Sequence, residues 1–329
     1  MPTIATGAPA RRSARPFLKW AGGKRQLLPR LRRHYPSEFG AYLEPFVGSA
    51  AVFFDLHALG LLAGRRVVLA DINADIMGTY EAVRRDVDAV VAHLERLARG
   101  HARHGSAHYY RVRDDRFNPM RREFLARAPD SAGLAVYPAE LAAMLIYLNR
   151  TGFNGLFRLN ARGDFNVPAG RYTNPRICDA PALRAAAEAL RGAGVEVRLQ
   201  SFEAVRDEAA PGDFLYFDPP YAPLSATARF TSYTAGGFGD VQQAALQRLV
   251  IDLALGGCHV LLSNSAAPLV RALYARSPDA RAAGLRATLV TARRAINSAA
   301  AGRGPVAEYL VTNLPARRWP AGAVPLSRR

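Results

Sequence analysis

The sequence predicts an open α/β sheet with a mainly helical module inserted into it. Residues 41–46 and 67–70 read as short buried strands, separated by a Gly48-Ser49 turn and an apolar helix to about Leu59. The second strand ends on Asp71. Strand, small-residue turn, helix, strand, acidic residue is the βαβ nucleotide-binding layout. Strand patterns then lapse from residue 78 to 175 and resume at 195–199, 214–217, 259–262, 287–292 and 308–313. One sheet with an insert accounts for both groups. The expected organisation is a sheet domain over 16–77 and 176–314, an insert over 78–175, a disordered basic arm at 1–15 and a basic tail at 315–329.

Each element has a local reason. Residues 24–33 carry the apolar spacing of an amphipathic helix. The insert is helical and polar at first, rich in Arg, and ends in a Gly/Asn-rich segment. Within it, His101, His104 and His108 suggest a metal site. Gly105 and Ser106 break the helix there and no carboxylate is near, which favours a solvated loop. No internal repeat is apparent.

The 329 residues carry a formal net charge of +17, mostly through Arg. Such an excess points to a polyanionic partner, nucleic acid first, although an Ala- and Arg-rich composition is basic on its own account. Cys178 and Cys258 lie far apart with no CxxC or Cys/His spacing, which argues against a structural zinc or a disulfide framework and fits a reducing cytoplasm. The longest apolar run, residues 141–148, is too short to span a bilayer. The N-terminal arm has Arg11-Arg12 but no apolar core after it, so it is not a secretory signal.

Four constellations carry chemistry. Asp218-Pro219-Pro220-Tyr221 follows the strand at 214–217, where open α/β sheets place their sites. The prolines fix φ and donate no hydrogen bonds, leaving carbonyl oxygens to accept. Asp218 and the Pro219 carbonyl can hold the two N–H groups of a planar amine while Tyr221 stacks on its ring. A plain Pro-rich turn is the alternative. In FLKWAGGK (residues 17–24) two glycines let the backbone approach a ligand and Lys24 adds a point charge, but no P-loop consensus follows. In EPFVGSA (residues 44–50), Asp71 lies 23 residues after Gly48. It is placed either to accept two ribose hydroxyls or to cap a helix beginning at Ile72-Asn73-Ala74. Finally, residues 148–172 set Arg, Asn and apolar tips on Gly-rich turns, as base-edge readout needs and as an ordinary hairpin also allows.

Taken together these strings resemble the Dam-type (class alpha, D12) site-specific DNA adenine methyltransferases. FLKWAGGK, LEPFVGSAAVF, LADIN, LNRTGFNGLFR, GDFNVPAGRY, DPPYAPLSATARFTSY and ARRAINS occur in that family's order, covering about residues 16–314. The resemblance implies a Rossmann-like sheet binding S-adenosylmethionine, with a target-recognition insert. It assigns cofactor contacts to Trp20, Lys24, Phe46, Asp71, Phe202 and Asp218, and catalysis to Asp218, Pro219, Pro220 and Tyr221. Phe153, Asn154, Leu156, Arg158, Pro168 and Tyr172 fall on its DNA-contacting positions. Leu156, Arg158 and Pro168 imply GATC as the target. Three departures stand out: Ala50 for a frequent second glycine; Phe153 and Ala169 where close relatives carry Tyr and Phe; and residues 119–138, extra length in the insert that reads as a surface loop and a short helix.

The implied partner is double-stranded DNA, acted on by a cytoplasmic monomer without a metal. Its target adenine is flipped out of the stack. An adenine methyltransferase acting on RNA, a protein glutamine methyltransferase and a catalytically inactive DNA-binding regulator are the rival readings.

Overall fold

The computed structural model describes residues 13–20, 24–127, 134–223, 238–293 and 305–316. Among these, seven strands form one sheet in the order β3-β2-β1-β4-β5-β7-β6. They are β1 (Tyr42–Glu44), β2 (Val67–Asp71), β3 (Val195–Leu199), β4 (Phe214–Phe217), β5 (His259–Ser265), β6 (Arg286–Arg293) and β7 (Pro305–Thr312). β1 to β5 run parallel, and β7 is antiparallel to both β5 and β6. β1 has β2 on one side and β4 on the other, so the order of connection reverses between β1 and β4. Such a switch point opens a crevice at the carboxyl ends of the strands.

The sheet is buried on both faces because successive side chains alternate across it. Tyr42, Val67, Leu69, Phe214 and Tyr216 enter one core, whereas Leu43, Val68, Leu215 and Phe217 enter the other. The first core is covered by α1 (Ala51–Ala58), α2 (Ala74–Arg85), α3 (Val87–Arg111), α5 (Ala139–Thr151) and α6 (Ala180–Leu190), with α4 (Asn118–Arg127) beside them. The second is covered mainly by α7 (Asp240–Leu255).

α2 runs unbroken through residue 78, the expected start of the insert, and packs on β2, β3 and α5. Gly78 is where the Tyr137 ring lies against α2; a Cβ there would enter the ring. Asp75, on the same helix, accepts from Arg121 Nε of α4 at 2.6 Å and from the Tyr137 hydroxyl at 3.2 Å. A buried ion pair thus ties α4 to the first turn of α2.

Several sequence expectations are corrected. Residues 24–33 form no single helix but a 3₁₀ turn (Lys24–Gln26), one α-turn (Leu28–Leu31) and a second 3₁₀ turn (Arg32–His34). Pro29, with no N–H to give, sits in the α-turn and prevents a continuous run. The three histidines lie on α3, not in a loop, because Gly105 absorbs the break in one residue (φ 51°, ψ −129°). His101 and His108 pack edge-on against Tyr147, and His101 Nδ1 lies 2.9 Å from its hydroxyl. Among the described residues no group of His, Cys, Asp or Glu could hold a metal, and no helix is long and apolar enough to cross a membrane. Arg15, assigned to the N-terminal arm, pairs with buried Asp179. The rest of that arm to residue 12, the tail from 317, and most of the ARRAINS string lie outside the described residues, as do the Ala21-Gly22-Gly23 turn and residues 224–237.

Candidate active site and nucleic-acid interface

β4 delivers Asp218 to the switch point, and its neighbours supply the contacts. Lys24 Nζ lies 2.8 Å from Asp218 Oδ1, and Ser263 Oγ donates to the same oxygen at 3.0 Å. Ser263 is in turn 2.9 Å from the Tyr216 hydroxyl. Burial pushes the Asp218 carboxyl above its usual range, while Lys24 and Ser263 pull it back. The Lys24 ammonium also lies over the Tyr221 ring, 4.6 Å from its centroid. The Tyr221 hydroxyl donates to Glu308 Oε2 on β7 at 2.7 Å. Of the two proline carbonyls, that of Pro220 accepts from Gln243 Nε2 at 2.9 Å. Asn264 holds Gln243 through its Nδ2 at 2.9 Å and accepts from Ala222 N–H at 3.3 Å. The tetrapeptide is therefore braced along its length by β5, β7 and α7.

The ends of β1 and β2 form the second part of the crevice. Asp71 accepts from Gly48 N–H at 3.3 Å and from Asn73 N–H at 3.0 Å. The helix cap is Asn73, whose side chain accepts from Asp75 N–H and Ile76 N–H, so Asp71 is not committed to capping α2. Burial raises the Asp71 carboxyl to about 6. Gly48 takes a positive φ of 44°, and Trp20 packs so closely that a Cβ would come within 2.9 Å of its Nε1. Ala50 is also left-handed, at φ 53°. This is the physical reason a glycine suits that position: an L side chain there costs roughly 1–2 kcal/mol. Phe46 and Phe202 stack on one another with centroids 5.3 Å apart. A purine ring needs about 7 Å between two flanking rings at van der Waals contact. The two rings as they stand therefore leave no slot for a planar ring between them.

One fully buried group went unnoticed in the sequence beyond its place in a motif. Glu44, at the end of β1, accepts from the Tyr42 hydroxyl at 2.9 Å and from Phe53 N–H at 3.2 Å. Burial lifts its carboxyl to about 8, with Asp218 adding to the rise. Ile72, beside Asp71 at the end of β2, is 72% exposed.

The Gly/Asn-rich segment after α5 gathers every expected DNA-contacting residue onto one loop system. Isolated bridges at Gly152–Ala169 and Leu159–Phe165 hold it. Phe153 N–H donates to the Pro168 carbonyl at 2.9 Å, and Asn154 takes a left-handed φ of 54°. Phe153 and Tyr172 are exposed aromatics, and Arg158 and Pro168 are exposed as well, with Leu156 half-buried. Arg158 is held in place: its Nε donates to Asn166 Oδ1 at 2.8 Å. Asn118 of α4 clamps the hairpin by exchanging hydrogen bonds with the Phe165 backbone.

Lys19 and Asn149 join this loop to the crevice. Asn149 accepts from Lys19 N–H at 2.7 Å and donates to the carbonyls of Lys19 and Gly155 at 2.7 and 3.0 Å. The Lys19 ammonium lies 4.0 Å from the Tyr172 ring centroid and donates to the Arg150 carbonyl at 2.9 Å. Trp20 stacks on Phe157 at 6.5 Å. The FLKW string thus bridges both halves, Lys19 on the loop side and Trp20 between Gly48 and Phe157.

Comparison with known proteins agrees with this arrangement. A family model described as D12 class N6 adenine-specific DNA methyltransferase matches residues 20–287. The chain is 36% identical over 304 residues to the type II methyltransferase M1.LlaDCHI of Lactococcus lactis subsp. cremoris, covering 91% of this chain and 95% of that one. It is 38% identical over 260 residues to the type II methyltransferase M.MjaIII of Methanocaldococcus jannaschii, covering 76% and 84%. It is 35% identical over 307 residues to the DNA adenine methylase of Escherichia coli (strain K12), covering 93% and 98%. The chain belongs to the D12 class of N6 adenine-specific DNA methyltransferases.

Proposed function

We propose that this DNA adenine methyltransferase uses Asp218 and the Pro219 carbonyl to hold the exocyclic amine of a flipped adenine, and that its target is GATC. The supporting observation is the bracing of Asp218. Among the described residues both of its donors, Lys24 and Ser263, fall on Oδ1. Oδ2 is then the oxygen that accepts from an incoming amine. Accepting the two N–H groups draws the nitrogen toward tetrahedral geometry and aims its lone pair. A carboxylate, even one raised by burial, does not deprotonate a neutral aromatic amine first, so proton loss accompanies or follows methyl transfer. No covalent intermediate with the protein forms.

S-adenosylmethionine supplies the methyl group as a sulfonium electrophile. The donor set fits it: the Asp71 carboxylate accepts the ribose hydroxyls, while Phe46, Phe202 and Ile72 offer apolar faces to the adenine. Phe202 and Ile72 follow paired strand ends, joined where Gln200 N–H donates to the Asp71 carbonyl. Trp20 shapes the Gly48 turn, and Lys24 links Asp218 to the Tyr221 ring. Lys24 covers one face of that ring, so the target base stacks on the other. No chain residue calls for a metal in this scheme.

Residues 78–175 act as the target-recognition unit. Arg158, pre-set by Asn166, reads a guanine, Leu156 and Pro168 meet apolar base edges, and Phe153 or Asn154 fills the space the flipped base leaves. Tyr172 flanks the duplex beside Lys19. The +17 charge suits double-stranded DNA. We assign a monomer working in the cytoplasm, where chromosomal DNA lies. The test is to express the chain in a strain that lacks adenine methylation and digest its plasmid with GATC-cutting nucleases of opposite methyl sensitivity. Protection from the methyl-blocked nuclease supports GATC; unchanged digestion refutes it.

A further inference from the structure

We propose that Glu308 is a positioning residue for methyl transfer, acting through the Tyr221 hydroxyl to set the plane on which the target base stacks. The inference rests on Tyr221 being that stacking surface. β7 runs antiparallel to β5, so its early residues reach the rim where the parallel strands end. There Glu308 pairs in register with Ser265, two residues beyond Ser263. A carboxyl group only 5% exposed is thereby brought beside Asp218 by a strand that otherwise belongs to the far side of the sheet.

Three contacts fix the Tyr221 ring. Pro219 and Pro220 restrict the backbone before it, and Gln243 holds the Pro220 carbonyl. Lys24, shared with Asp218, rests on one face. What remains is rotation of the side chain about its own bonds; the 2.7 Å hydrogen bond to Glu308 fixes the hydroxyl end, and because a phenolic O–H prefers to lie in the ring plane it also biases that plane toward the carboxylate. Burial, Asp218 and Glu308 push the phenol well above its ordinary value, so it stays a donor across the working pH range rather than relaying a proton. A second carboxyl group close to Asp218 is electrostatically unfavourable and raises the Asp218 carboxyl further. Its placement there is explained by the geometry it imposes on the ring.

The test uses the full chain, with single-turnover and steady-state methylation of a duplex bearing the target adenine. Glu308→Ala is expected to lower kcat about tenfold, the order of one lost hydrogen bond. The KM for DNA should stay within about twofold, as expected for an interaction realised in the transition state. Glu308→Gln, which keeps a carbonyl acceptor, should restore most of the rate. Tyr221→Phe should reproduce the loss, and adding Glu308→Ala to it should cost nothing more. Wild-type turnover by Glu308→Ala, or a full additional loss in the Tyr221→Phe background, would overturn the proposal. Should Glu308→Ala not fold, Tyr221→Phe and Glu308→Gln decide it: undiminished turnover in Tyr221→Phe overturns it. The stacking assignment itself fails separately, if Tyr221→Ala turns over like wild type.

Discussion

Around Asp218 the functional groups are mostly buried or half-buried and braced by neighbouring side chains, whereas the loop from Gly152 to Tyr172 exposes its tips and buries only its supports. At the crevice, Asp218, Asp71 and Glu44 are all raised above the usual carboxylate range by burial. In the loop, Arg158 and Phe153 face outward while Asn149, Phe165 and Val167 beneath them are buried. Chemistry needs charges whose surroundings are fixed before the substrate arrives. Recognition needs side chains that reach a partner, held by a frame rather than by burial. The two regions should therefore fail differently when altered.

Asp218→Ala should show the largest effect, a loss of about 10²–10³ or more in methyl-transfer rate with DNA binding retained in a gel-shift assay. Near-normal turnover would remove Asp218 from the role assigned to it. Asp71→Ala should come next. Loss of charge-assisted hydrogen bonds to the ribose should weaken S-adenosylmethionine by about 1.5–3 kcal/mol in calorimetry. In the wild type the same affinity should fall as pH drops through about 6, because the protonated acid no longer accepts both hydroxyls. An affinity flat from pH 5 to 8 would contradict this.

Arg158→Ala should cost about 1–3 kcal/mol of discrimination between the matched duplex and one altered at a single base pair. The matched rate should fall much less. Glu44→Gln probes burial without touching the substrate. The folded state binds a proton on Glu44 up to about pH 8, whereas the unfolded chain releases it near 4.5. Between those values wild-type stability should therefore fall relative to the variant as pH rises, at about 1.4 kcal/mol per pH unit. Chemical denaturation at pH 5 and 8 measures it, and parallel pH profiles for the two proteins would refute the buried neutral acid. The smallest effect belongs to Ala50→Gly, which relieves a left-handed residue and should stabilise the fold by up to about 1 kcal/mol without altering specificity.

The crevice was half legible in the sequence. Asp218 to Tyr221 and Asp71 could be found because each sits directly after an apolar run that announces a strand end. Their supports could not. Ser263, Gln243 and Glu308 reach the site through pairing of distant strands and the packing of α7, and none lies in a string with turn or cap chemistry of its own. The strand pattern was readable to within about three residues, but residues 24–33 misled because apolar spacing outweighed Pro29. The histidines of α3 misled in the opposite sense, since Gly105 kinks a helix instead of ending it. The loop proposed for recognition stood out in the sequence by its Gly/Asn content. The clamp by Asn118, and the setting of Arg158 by Asn166, required the fold.

The claim that chemistry and selection reside in separable regions is tested most directly by assaying Asp218→Ala and Arg158→Ala side by side. Binding and single-turnover methylation are measured on a GATC duplex and on duplexes altered at one outer base pair. Asp218→Ala should keep the wild-type binding preference while its rate collapses on every duplex; Arg158→Ala should keep most of the matched rate while the preference shrinks. A binding preference that changes in Asp218→Ala, or rates that fall uniformly across the duplexes in Arg158→Ala, would contradict the account.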